Sequence, residues 1–172
     1  MNKKKLVYLT LYALAMAYLE AAVVVYLRQL WGIADLLTSN AIYDPFISIV
    51  ELGRELATLI MLFAVGLAAG KKLQSQVGFA IYIFGIWDIC YYVWLKILIG
   101  FPRSLLDWDL LFLIPLPWWG PVLAPVMISV AMIAGGAALV NLEEKQKRVR
   151  PKWYEQLSLG AGIVLILYVV MH

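Results

Sequence analysis

Five apolar runs separated by short polar stretches organise this chain, at residues 6–27, 45–69, 77–99, 121–142 and 157–171. A helix needs roughly 20 mostly apolar residues to cross a hydrocarbon core of about 30 Å. Four of the runs meet that length and the fifth is shorter. The pattern predicts an all-α integral membrane protein, a single domain built as a five-transmembrane-helix bundle. The second run opens with Asp44 as N-cap and Pro45 at the first helical position, and the third closes at Gly100 and Pro102. Between the third and fourth runs, Ser104 with Asp107 three residues on reads as a capping-box-like start. Residues 105–114 then read as a short interfacial or re-entrant helix, ended by Pro115, Pro117 and Pro121.

Composition supports the membrane reading. The 172 residues are 64% hydrophobic and 15% charged, whereas soluble domains carry about 25% charged residues. The net charge of +3 does not call for nucleic acid, because the basic residues cluster at the ends of the apolar runs; the expected partners are the lipid bilayer and either further copies of the chain or partner subunits. One cysteine, Cys90, and one histidine, His172, exclude an internal disulfide, a Cys/His zinc site and haem held by paired histidines. Lys3, Lys4 and Lys5 precede a run that is too long for a signal h-region of about 7–15 residues and that contains Glu20, so it reads as a retained helix.

Lys and Arg are depleted from translocated loops, which fixes an orientation. Lys3, Lys4, Lys5, Lys71, Lys72, Lys145, Lys147, Arg148, Arg150 and Lys152 fall on one side of a five-span layout, against Arg28, Arg103 and Lys96 on the other. The expectation is a multi-pass cell-membrane protein with a cytoplasmic amino terminus and an extracytoplasmic carboxyl terminus. Trp31, Trp94, Trp108, Trp118 and Trp119 collect at the outer boundary as an aromatic belt.

Charges inside the runs point to chemistry. Glu20, Glu51, Arg54, Glu55 and Asp88 each cost about 2.5–3.5 kcal/mol at mid-helix on insertion scales, so they are expected to face the bundle interior and to have partners. Ser48, Glu51, Glu55 and Thr58 share one helical face, with Arg54 at its edge; Gly85, Asp88, Tyr92 and Lys96 share another. The reading is a carboxylate-rich pocket in the outer half of the bilayer, made by the first three helices and roofed by the following loop with Asp107 and Asp109. The last two helices, with small residues at Ser129, Gly135, Gly136, Gly160 and Gly162, would brace it.

Glu20, Glu51, Glu55 and Asp88 outnumber Arg54 and Lys96 by two charges, a deficit that protonation or a bound cation can meet. The candidate ligand-binding residues are Glu20, Glu51, Arg54, Glu55, Asp88, Tyr92, Lys96 and Asp109. The four acids are also metal candidates, for an oxygen-ligated divalent cation. Three functions compete. The first is binding or transport of a cation or small molecule. The second is an enzyme using Glu51, Glu55 and Asp88 for acid/base chemistry on a lipid or another hydrophobic substrate, with Trp87, Tyr91, Tyr92 and Trp108 lining the cavity. The third is an accessory subunit of a larger membrane complex, in which the same charges only fix helix register.

Overall fold

The computed structural model describes residues 3–30, 45–114 and 117–171. Asp44 and Trp31 lie outside them. The chain is mostly helical: α1 (Lys3–Leu30), α2 (Pro45–Ala69), α3 (Leu73–Ile99), then β1 (Trp108–Phe112) and β2 (Trp118–Pro121), followed by α4 (Leu123–Glu144) and α5 (Trp153–Met171). The first four helices are long and apolar enough to cross a membrane, as a multi-pass membrane protein requires. Large apolar side chains such as Leu19, Phe46, Ile60 and Met127 are exposed on their outer faces, a surface that lipid covers and water does not.

Helix α3 is the hub, packed against α1, α2 and α4. Cross-helix contacts fix the directions. Lys5 Nζ donates to Ala69 O at 2.6 Å and Thr58 Oγ1 to Glu20 Oε2 at 3.1 Å, so α1 and α2 run antiparallel. The Thr10 and Tyr82 hydroxyls lie 3.1 Å apart, and Tyr18 meets Trp94 edge to face, so α1 and α3 run parallel. Gly78 opposes Gly136 and Val140, while Gly85 opposes Ser129 and Ile133, so α3 and α4 run antiparallel. The chain therefore alternates in direction through these four helices. One end gathers Lys4, Lys5, Lys71, Lys72 and Lys145; the other holds Arg28, Lys96 and the hairpin.

The seam between α3 and α4 is close because glycines allow the backbones to approach. A Cβ on Gly136 would sit 2.5 Å from Gly78 O, whereas one on Gly135 would meet nothing within 4 Å. Gly136→Ala is expected to cost about 1–3 kcal/mol, the usual toll of overpacking, and Gly135→Ala less than about 0.5 kcal/mol. Thermal midpoints in detergent check this; equal midpoints for the two variants would contradict the seam. At the basic end the same pair of helices is tied by Glu143, whose Oε2 accepts Ser75 N and whose Oε1 accepts Ser75 Oγ, both at 2.7 Å.

Residues 105–114 are not a helix. Asp107 Oδ2 accepts the N–H groups of Arg103 and Ser104, and Ser104 Oγ accepts that of Leu106, so the capping signal builds a turn. The chain then runs extended. Asp109 pairs with Gly120 and Leu110 with Trp119 in an antiparallel hairpin, bulged at Leu111. The reason is shared chemistry: Ser and Asp side chains cap turns as readily as helices, and Pro117 and Pro121 leave the backbone no helical register to continue. The turn also finishes α4, since Val122 N donates to Asp107 O and Leu123 N to Leu105 O.

Helix α5 does not brace the bundle. It meets β2, its residues 153–161 are exposed, and Gly160 and Gly162 face open space. Its small residues therefore serve no helix seam within the described chain.

Candidate functional site

A half-open cavity of about 210 Å³ lies between α1, α2, α3 and β1. It exists because α1 and α2 both pack on α3 and meet each other through long polar side chains rather than backbone to backbone. Given the helix directions, its wall belongs to the hairpin half of the bundle. Glu20, Glu51, Arg54, Glu55, Asp88, Tyr92 and Asp109 all line it, as do Arg28, Trp87 and Tyr91.

Each charged group has a definite partner. Arg54 bridges α1 and α2: it is ion-paired with Glu20, and its Nη2 lies 2.7 Å from Glu51 Oε2. The Glu51 pairing is an i,i+3 contact along one helix, with Arg54 Nε adding a second bond at 3.0 Å. Glu20 also accepts from Thr58. Arg28 Nη2 lies 3.0 Å from Asp109 Oδ1, and its guanidinium stands over the Phe101 ring at 4.3 Å. Glu55 accepts the backbone N–H of Leu113 at 2.9 and 3.1 Å, which pins the hairpin over the cavity. Asp88 Oδ2 accepts from Ser129 Oγ on α4 at 2.7 Å.

Among the described residues, three polar atoms in this wall lack a protein partner, Trp87 Nε1, Asp109 Oδ2 and Arg28 Nε, and Arg54 Nη1 has only its ion pair with Glu20; Trp87 and Asp109 are only 4% and 2% exposed. Native interiors rarely leave such atoms unpaired without water or a ligand. Asp109 lies outside the helices, and burial pushes its carboxyl up to about 6 although Arg28 pulls the other way. The aromatic side of the cavity is continuous: Trp87 stacks on Tyr91 at 6.4 Å, and Tyr91 meets Tyr92 edge to face at 5.0 Å.

Several sequence expectations change here. Lys96 is not in the wall; its Nζ donates to Pro102 O at 2.7 Å, satisfying carbonyls just past the end of α3. The four acids do not form a metal-ligand cluster, since no three His, Cys, Asp or Glu side chains converge among the described residues. Desolvated carboxylates that find separate donors have no need to share one cation. Asp107 caps its turn instead of entering the cavity. Trp94 is more than a belt residue, because its Nε1 donates to Leu14 O on α1 at 3.1 Å. Arg28 lines the cavity, although sequence reasoning treats it only as a topology marker. Its signal is present, since Glu20, Val24 and Arg28 recur every four residues on one face of α1.

No family model, curated protein or solved structure matches this chain.

Proposed function

We propose that this chain is a five-span membrane protein that receives a small molecule from the extracytoplasmic side, in a cavity within the outer half of the bilayer. The observation that carries the reading is a roofed cavity in which buried Asp109 and Trp87 each keep an unpaired polar atom. A site that served only to fix helix register would be expected to close these atoms against protein. Its size suits a small occupant, since a cavity of about 150 Å³ already holds benzene.

Orientation follows from the basic end, which carries the excess of Lys and Arg and belongs in the cytoplasm. The hairpin then faces outward. Helix α5 is the fifth span, about 28 Å long at 1.5 Å per residue, and its exposed length faces lipid or a second subunit.

The test uses thiol access. In a Cys90→Ala background, Ser48→Cys is expected to react with a membrane-impermeant thiol reagent added to intact cells, and Lys147→Cys only after the membrane is opened. Adding Val24→Trp, which fills the cavity, is expected to slow the Ser48→Cys reaction at least tenfold. Labelling of Ser48→Cys from the cytoplasmic side alone, or indifference to Val24→Trp, refutes the reading.

A further inference from the structure

Resting on that reading, we infer that the occupant is a small organic cation, a single-ring or short-chain amine, whose ammonium group is paired by Glu55 and Asp88. The charge pattern of the wall leads there. Five carboxylates and two guanidinium groups line the cavity. Arg54 is taken by Glu20 and Glu51, and Arg28 by Asp109. Glu55 and Asp88 remain, hydrogen-bonded to neutral donors: the backbone N–H groups of Leu113 and Ile114 for Glu55 and the Ser129 hydroxyl for Asp88. Neither makes an ion pair among the described residues, and residues 31–44 and 115–116 contain no Lys or Arg that could supply one.

The rest of the wall distinguishes an organic cation from the other occupants. No cluster of three His, Cys, Asp or Glu ligands is present among the described residues, so a divalent cation would have to draw most of its six or more oxygens from water. An anion could accept from Arg28 Nε, which has no hydrogen-bond partner, but it would face five carboxylates against two guanidinium groups. A purely apolar molecule would leave the acceptor Asp109 Oδ2 without a donor, at the cost that buried orphan groups carry, whereas an ammonium group can donate to it. Trp87, Tyr91 and Tyr92 instead offer ring faces, and ring quadrupoles attract an ammonium ion within about 6 Å.

Four probes of similar size or defined charge test this on the purified full chain in detergent at pH 7: benzylamine, benzyl alcohol, benzoate and magnesium chloride. Tryptophan fluorescence reports occupancy, and the thermal midpoint reports stabilisation. Benzylamine is expected to bind saturably and at least tenfold more tightly than benzyl alcohol, with benzoate and magnesium giving no saturable signal. Glu55→Gln and Asp88→Asn are each expected to weaken benzylamine at least tenfold, with circular dichroism checking that they fold. The wild-type ranking of the four probes needs no variant at all. Tighter binding of benzyl alcohol or benzoate overturns the cation assignment and leaves the cavity reading standing. Binding of magnesium alone overturns it in favour of a metal. If no probe binds, the inference fails, while the thiol-access result decides the cavity reading separately.

Discussion

Replacing Arg54 with leucine is expected to destabilise the bundle by about 3–5 kcal/mol, the range measured when one member of a buried ion pair is removed. Two carboxylates lose their cation together, because Arg54 serves both Glu20 on α1 and Glu51 on α2. In a chain of this size such a loss lowers the thermal midpoint by on the order of 10 °C. The cost comes from stranded charge rather than lost attraction, so the order of repair is defined. Adding Glu20→Gln and Glu51→Gln to Arg54→Leu is expected to recover more than half of the loss, since neutral amides carry no uncompensated charge. Midpoints of the single and triple variants, measured in one detergent, decide the matter. An Arg54→Leu protein as stable as the parent would show that the bridge does not hold the two helices.

Arg28→Met is expected to have the second largest effect, and one that depends on pH. Asp109 would then be buried without its cation, under the hairpin that roofs the cavity. In the intact protein its carboxyl already sits near 6 against an ordinary 3.8. The folded state therefore holds this proton more tightly than the unfolded chain does. By linkage, the stability contributed by protonated Asp109 is fully present below about pH 4 and is lost as pH rises through about 6. Losing Arg28 removes the larger of the two influences opposing burial, the other being the Leu110 backbone N–H, so the shift grows and the window extends upward. Arg28→Met should thus be tolerated near pH 5 and destabilised by several kcal/mol above pH 7. Asp109→Asn, neutral at every pH, should remove this segment of the pH dependence in either background. A flat profile for Arg28→Met would rule out Asp109 as the titrating group.

The sequence discloses this architecture unevenly, and for physical reasons. Span boundaries are legible because the bilayer imposes a length: α2 spans Pro45–Ala69 as expected, and Gly100 ends α3 in the left-handed conformation with φ of 73°. Helix α1 extends beyond its apolar run, because lysines at a helix end can reach outward along their own stems. The shared depth of Glu20, Glu51, Glu55 and Asp88 is legible too, since alternating helices convert sequence position into height. What periodicity does not supply is the partner of each acid. Ser129 is 41 residues from Asp88 and the Leu113 amide 58 from Glu55; neither has a local signature. The hairpin is obscured by Ser104 and Asp107, whose capping chemistry is common to two local structures. Helix α5 looks like a brace by composition, but small residues permit close packing without supplying a neighbour.

The clasp between Glu143 and the start of α3 has a mechanical consequence. It joins the basic ends of α3 and α4 with two short bonds to one carboxylate, and Lys5 ties α1 to the end of α2 nearby. In the opposite half the helices are joined by the Arg54 bridge and the Asp88–Ser129 bond, while the hairpin above them is fastened by Arg28 to Asp109 and by Glu55 to the Leu113 amide. Under the proposed function, a guest would displace those two polar latches on the hairpin and leave the fastened base shut, a one-sided door in place of a through passage.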